Sequence, residues 1–256
     1  VLTVVVLAVL QGITEFLPIS SSGHLVLAQH LLQLKENHLL LDTMLHAGTA
    51  VSICVVFYKD IQRLLLQLFS PEPYVRIDAL RYGLFIAVAT IPAGVAGVLW
   101  KDFFEKRFED PFFAGLMLLV TAALLFLSIK APRRTHELGL LSIIAVGIAQ
   151  ACAIFPGISR SGATICVALL VGLRRDEAAR FSFLLALPAI LGAIVLQLGD
   201  IAGSGLPTGL LAAGFAVSCL TGIVALKVLL RFVHQGTLYY FGFYCVLVGV
   251  ASMVFF

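Results

Sequence analysis

Long apolar stretches separated by short polar or charged segments run the whole length of the chain. Six of them, 41–58, 81–100, 112–130, 181–199, 207–229 and 236–256, approach or exceed the ~18 residues needed to cross a bilayer. Turn and charge signals separate them: Lys59 to Arg81 with Pro71 and Pro73, Lys101 to Pro111, Lys130 to His136, Arg174 to Arg180, Asp200 to Pro207, and Arg231 to Gly236. Two further segments, 1–34 and 139–173, are apolar at both ends and interrupted in the middle. Each has only ~15 apolar residues before the break, short for a crossing at about 1.5 Å per residue. The breaks hold Pro18 in one segment and Pro156-Gly157 in the other, each followed by Ser-rich sequence and a Gly. Such residues stop one helix and start another, so each segment is expected to dip into the membrane and return on the same side. Irregular backbone at that depth needs protein or a wet cavity to satisfy its polar groups. The two loops should therefore face each other.

The order of these elements predicts an all-α integral membrane protein with six transmembrane helices and two re-entrant helix pairs. Residues 1–256 read as a single membrane domain, with repeat 1 over 1–130 and repeat 2 over 139–256. Each repeat holds one re-entrant pair and then three spans. Three is odd, so the second repeat should run opposite to the first, an inverted-topology arrangement with its site at the repeat interface. Loop charges agree. The loops at 59–81, 130–136, 174–180 and 227–234 hold twelve Lys and Arg, against four in 35–40, 101–110 and 200–206. The positive-inside bias puts the first group in the cytoplasm and both termini outside. The first apolar run has no basic lead and continues into the first break, so it is expected to stay in the membrane rather than be cleaved.

Composition excludes a soluble domain. The chain is 61% hydrophobic and 12% charged, whereas soluble proteins carry about a quarter charged residues. Five cysteines scatter through apolar segments without ligand spacing and are expected to be buried free thiols. No basic aromatic stripe or other nucleic-acid motif occurs. In KDFFEKRFED, residues 101–110, mixed charges with Phe suggest an outer-surface helix or a solvated loop.

The two breaks carry the same motif 139 residues apart: QGITEFLPISSSGHL at 11–25 and QACAIFPGISRSGAT at 150–164. Gln, Phe, Ile, Ser, Ser and Gly recur at the same offsets. Only the first copy has Glu15, Ser21 and His24; only the second has Arg160 and Thr164. Ionisable side chains in a membrane segment are costly and are functional candidates by default. Glu15 lies one helical turn after Gln11, on the same face, and could bind a metal, act as a base or pair with Arg160. Gln11 could position water or a phosphate oxygen. Ser20, Ser21 and Ser22 offer hydroxyls beside His24, an arrangement that activates a nucleophile, although serines there also cap helices. In the second copy Gly157 allows close backbone approach, and Ser159, Ser161 and Thr164 surround a helix N-terminus suited to an anion. Arg160 adds a planar fork that matches phosphate. Together these residues point to phosphoryl chemistry on an amphiphilic substrate. His30, His38, His46, His136 and His234 share no ligand spacing and are expected to be interfacial or packing residues.

With these motifs the chain resembles the undecaprenyl-pyrophosphate phosphatases of the bacitracin-resistance family. The resemblance rests on Gln11 to His24 and on Pro156 to Thr164, and it extends over essentially the whole chain. It implies hydrolysis of undecaprenyl pyrophosphate to the monophosphate carrier and phosphate, which recycles the carrier for cell-wall synthesis and confers bacitracin resistance. It also implies a bacterial inner-membrane location, a site open to the periplasm and a divalent cation, Mg²⁺ or Ca²⁺, at Glu15. By motif position Glu15, Ser21, His24, Ser159, Arg160 and Thr164 are the functional residues. Some members have Glu where Gln11 stands, which leaves Glu15 as the motif's one acid.

The expected mechanism has Arg160 and the Ser159 and Thr164 hydroxyls clamping the pyrophosphate while Ser21 attacks with His24 as base. Direct attack by His24 is the variant. The expected partners are a polyprenyl pyrophosphate lipid and the bilayer, with no nucleic acid; a homodimer is left open. A lipid phosphatase of the PAP2 type would need a His where Cys166 stands, which removes that rival. A transporter or flippase of a phosphorylated lipid is the alternative, since inverted repeats and broken helices serve carriers too.

Overall fold

The computed structural model describes residues 1–31, 39–108, 110–132, 139–197 and 207–256. Among these the chain is all-helical, with twelve α-helices and one 3₁₀ turn. They are α1 (Leu2–Phe16), α2 (Ser21–Leu31), α3 (Leu39–Val56), α4 (Tyr58–Leu68), α5 (Pro73–Leu99), α6 (Lys101–Arg107), α7 (Pro111–Leu127), α8 (Leu140–Cys152), α9 (Arg160–Leu170), α10 (Arg175–Gln197), α11 (Thr208–Gln235) and α12 (Tyr240–Phe255).

Both motifs break the chain where expected. α1 stops because Pro18 forces Leu17 into an extended conformation, φ −60° and ψ 142°. α8 stops at Cys152, and Gly157 turns the following loop at φ +100°. α2 and α9 then begin at Ser21 and Arg160, directly after the equivalent serines 20 and 159. The short helices α1 and α8 are held by close packing against long ones. Gly12 of α1 lies so near α11 that a Cβ would sit 2.6 Å from the Ser218 carbonyl oxygen, and a Cβ on Gly147 of α8 would sit 2.8 Å from that of Ala89 in α5. Small residues at such crossings let helices meet without a hydrophobic drive, as membrane helices must. α7 and α12 pack together through Gly115 and Gly249 in the same way.

Four helices are long and apolar enough to cross a membrane by themselves: α5, α7 extended to Lys130, α10 and α11. A fifth results if α3 and α4, bent by 71° at Phe57, form one broken span. α12 has 16 residues, about 24 Å at 1.5 Å per residue, short of a ~30 Å hydrocarbon core. The structure thus gives a multi-pass helical membrane protein with four or five such spans among the described residues.

Several boundaries differ from expectation: α10 begins at Arg175 rather than 181, and α11 runs to Gln235 rather than 229, because the charged residues there continue the helix instead of ending it. The charged stretch from Lys59 is not simply a loop: α4 is an amphipathic helix with no buried residue, and α5 begins at Pro73 rather than 81. One charged and one apolar face suit either a membrane interface or the end of a broken span, and the Asp60 carboxylate at the start of α4 meets Arg180 Nε of α10 at 2.9 Å. In 101–110 the chain forms the short helix α6, whose Phe104 packs edge-on against Phe155 of the second loop. The cysteines are free as expected, but Cys54 and Cys152 are exposed rather than buried. An apolar solvent imposes no cost on a thiol that faces outward, so burial is not required of it.

Candidate active site

The two broken loops meet. Gly157 N–H donates to Ser20 Oγ at 3.1 Å, and Ser161 Oγ donates to the Leu17 carbonyl at 3.4 Å. Ser20 Oγ also caps α2 by accepting from Gly23 N–H at 3.2 Å, and Ser159 Oγ caps α9 by accepting from Gly162 N–H at 3.1 Å. In each loop the capping hydroxyl lies 3.2 Å from the serine two residues on, Ser22 and Ser161. Ser20 itself is held at φ +69°, a left-handed conformation unusual for serine. Thr121 of α7 supports the second loop, accepting from Ser159 N–H at 2.9 Å and donating to the Gly157 carbonyl at 2.7 Å.

Glu15 is the hub between the loops. Its side chain is 4% exposed, and its Oε1 pairs with the Arg160 guanidinium. Its Oε2 accepts from Ser21 Oγ at 2.5 Å and from the Gln11 amide at 3.0 Å. His46 of α3 joins this group. Its Nδ1 lies 2.9 Å from the Gln11 amide and 3.7 Å from Glu15. His46, expected to be an interfacial or packing residue, adjoins Gln11 and Glu15 instead. The signal for it was available, since an imidazole inside the span 41–58 is an ionisable group in a membrane segment. Thr121 carried no comparable signal.

The structure thus brings Gln11, Glu15, Ser21 and Arg160 together, and it uses Ser20, Ser22, Gly157, Ser159 and Ser161 to build the loops. The Thr164 hydroxyl turns back onto the Arg160 carbonyl at 2.8 Å, and Arg160 also reaches the Ala186 carbonyl at 3.3 Å. His24 engages other partners: its Nδ1 lies 2.8 Å from the Ser20 carbonyl oxygen and its Nε2 lies 2.8 Å from the Tyr244 hydroxyl. Among the described residues the hydrogen bond from Ser21 goes to Glu15, and none joins Ser21 to His24.

Among the described residues no three His, Cys, Asp or Glu side chains gather as metal ligands. The Gln11 carbonyl oxygen is nevertheless buried without a partner beside Glu15. One carboxylate and one neutral oxygen suit a hard divalent ion that draws its other ligands from phosphate and water.

Chemically, the centre offers a hydroxyl on a carboxylate, a cation aimed at the same carboxylate and a nearby imidazole. Residues 4–251 match the family model described as Bacitracin resistance protein BacA. The chain is 40% identical over 270 residues to an undecaprenyl-diphosphatase of Methanosphaera stadtmanae, covering 99% of this chain and 97% of that one. It is 42% identical over 278 residues to the undecaprenyl-diphosphatase of Desulfatibacillum aliphaticivorans, covering 99% and 98%. With undecaprenyl-diphosphatase 1 of Bacillus cereus the identity is 38% over 264 residues, covering 100% and 97%.

Proposed function

The chain belongs to the bacitracin resistance protein BacA family, and from that premise we propose that it hydrolyses undecaprenyl pyrophosphate to undecaprenyl phosphate and inorganic phosphate. The observation that carries the reading is the Glu15 carboxylate, which holds the Ser21 hydroxyl on one oxygen and Arg160 of the other loop on the second. A carrier would use Arg160 and the broken helices equally well, but it has no need of a hydroxyl held 2.5 Å from a carboxylate.

In the mechanism, the terminal phosphate draws Arg160 from Glu15 onto its own oxygens, where a planar guanidinium binds two at once. Glu15, released from that pair, takes the Ser21 proton as Ser21 Oγ attacks the terminal phosphorus. The Oγ–P bond forms, and the bridging P–O bond breaks with its electron pair leaving on undecaprenyl phosphate. Water then displaces the Tyr244 hydroxyl from His24 Nε2 and attacks the phosphoserine, giving that nitrogen its proton. As the Oγ–P bond breaks, Ser21 takes back its proton from Glu15, and phosphate departs; His24 returns its proton to solvent. The first proton thus goes to Glu15, which holds Ser21, rather than to His24, the expected base. A divalent ion would be held by Glu15, the Gln11 carbonyl oxygen and the substrate phosphates. When bound it would neutralise charge on the pyrophosphate.

The finer architecture is part of the same proposal. Two repeats of opposite orientation are supported by the way equivalent elements exchange partners. α1 packs on α11 as α8 packs on α5, α3 packs on α11 as α10 packs on α5, and α7 packs on α12. With α3, α5, α7, α10, α11 and α12 as crossings, the twelve-to-four division of Lys and Arg supports cytoplasmic placement of the basic group and both termini outside; membership of the family supports an inner-membrane location and a site open to the periplasm.

Purified protein in detergent with Mg²⁺ or Ca²⁺ is expected to release phosphate from undecaprenyl pyrophosphate. A folded preparation that instead moves the intact lipid across vesicle membranes without releasing phosphate contradicts the proposal.

A further inference from the structure

Tyr244 stands outside both motifs, 220 residues from His24, yet its hydroxyl is 2.8 Å from His24 Nε2. The two rings are nearly parallel, inclined by 8° with centroids 5.6 Å apart. On the far side of the imidazole, Nδ1 lies 2.8 Å from the Ser20 carbonyl oxygen. A carbonyl can only accept, so Nδ1 carries the proton and the neutral ring presents a bare Nε2. The Tyr244 hydroxyl donates to that nitrogen. The imidazole is thus fixed at both ends, as in sites where a partner on one nitrogen defines the role of the other.

The same tyrosine ring faces a second environment. It lines an apolar groove of about 780 Å³, between Val9 and Ile13 of α1, Phe232 of α11 and Tyr240 of α12. The groove reaches Leu17 and Ile19, in the loop that leads directly to Ser20 and Ser21. Tyr244 is 41% exposed, whereas His24 is 8% exposed. Tyr244 thus borders the groove and His24 at once. A hydrocarbon chain attached to a phosphate at Ser21 can therefore lie along α1.

We infer that Tyr244 is a positioning and specificity-determining residue of the phosphoryl transfer: its hydroxyl holds His24 with Nε2 as the acceptor, and its ring walls the groove that takes the substrate's prenyl chain. The inference rests on the hydrolase reading for its kinetic part. Its geometric part is independent of turnover.

Side-chain ¹⁵N spectra of His24 in wild type and Tyr244→Phe test the geometric part. Wild type should show the Nδ1-protonated tautomer, and Tyr244→Phe should shift the Nε2 resonance as its hydrogen bond is lost. An Nε2-protonated ring, or spectra that do not differ, overturns the inference even if the enzyme turns over. Kinetics test the rest. Tyr244→Phe keeps the ring and should lower kcat about tenfold, the scale of one hydrogen bond, with KM within about twofold. Val9→Trp fills the groove away from the chemistry. It should raise KM about tenfold for undecaprenyl pyrophosphate, on the order of the binding carried by a few buried methylenes, and leave a single-isoprene diphosphate unaffected. Unchanged kcat in Tyr244→Phe, or unchanged KM in Val9→Trp because only bilayer lipid occupies the groove, overturns it. Wild type without turnover, but with the expected spectra, would defeat the hydrolase reading and leave the His24–Tyr244 geometry standing.

Discussion

Arg160, Ser21, Gln11 and His46 converge on one buried carboxylate, Glu15, so single substitutions here have unequal consequences. Removing one partner of a buried ion pair leaves the other charge uncompensated, at a cost of ~3–5 kcal/mol. Arg160→Ala should therefore lower the thermal midpoint, and Glu15→Gln in the same chain should recover part of the loss. Failure of the second substitution to recover stability would show that the pair contributes no more than a surface contact. Ser20 and Ser22 separate in the same manner. Ser20→Ala orphans two buried N–H groups, those of Gly23 and Gly157, for about 2 kcal/mol or more. Ser22→Ala removes only a hydroxyl neighbour and should cost less than about 1 kcal/mol. Thermal unfolding in detergent of the two variants distinguishes them. The motifs made Glu15, Ser21 and Arg160 legible in the sequence because each is a polar or ionisable residue at or beside a break in an otherwise apolar segment. His46, Thr121 and Tyr244 were not marked as site residues. Each enters from the middle of a regular helix, and long-range packing alone brings it to the site.

At the level of elements, both breaks could be read from proline, glycine and serine, since those residues constrain the backbone locally. Gly157 combines φ +100° with a position where a Cβ would lie 2.2 Å from the Ala114 carbonyl oxygen. Gly157→Ala should then prevent the second loop from docking on α7 and abolish turnover. Gly94→Ala, in a helix with nothing within 4 Å of the added carbon, should be neutral or stabilising by about 1 kcal/mol. Equal loss of activity in both would mean that the loop is not the sensitive element. The amphipathic helix α4 was not legible in the same way. Lys59, Asp60 and Arg63 mark a stretch that leaves the membrane, and charge alone does not tell a loop from a helix lying flat. The amphipathic pattern of Tyr58–Leu68 carried the difference.

For the whole molecule, the matched pairing of α1 with α11 and of α8 with α5 places each broken segment against a long helix of the other half. The proposed orientation puts Arg63 of α4 on the cytoplasmic side and Asp102 of α6 on the other. In a cysteine-free background, single cysteines at Arg63 and Asp102 should react with an impermeant thiol reagent from opposite faces of right-side-out vesicles. Labelling from the same face would contradict the proposed orientation.

A single hydrolytic centre, built by both loops around Glu15, can be read from kcat for phosphate release from undecaprenyl pyrophosphate in wild type, Ser21→Ala, Arg160→Ala and the double variant. Groups that act as a unit are strongly non-additive. Each single variant should lose activity on the order of a thousandfold, and the double variant should lose little more. Losses that simply multiply, or full activity in either single variant, would contradict the account.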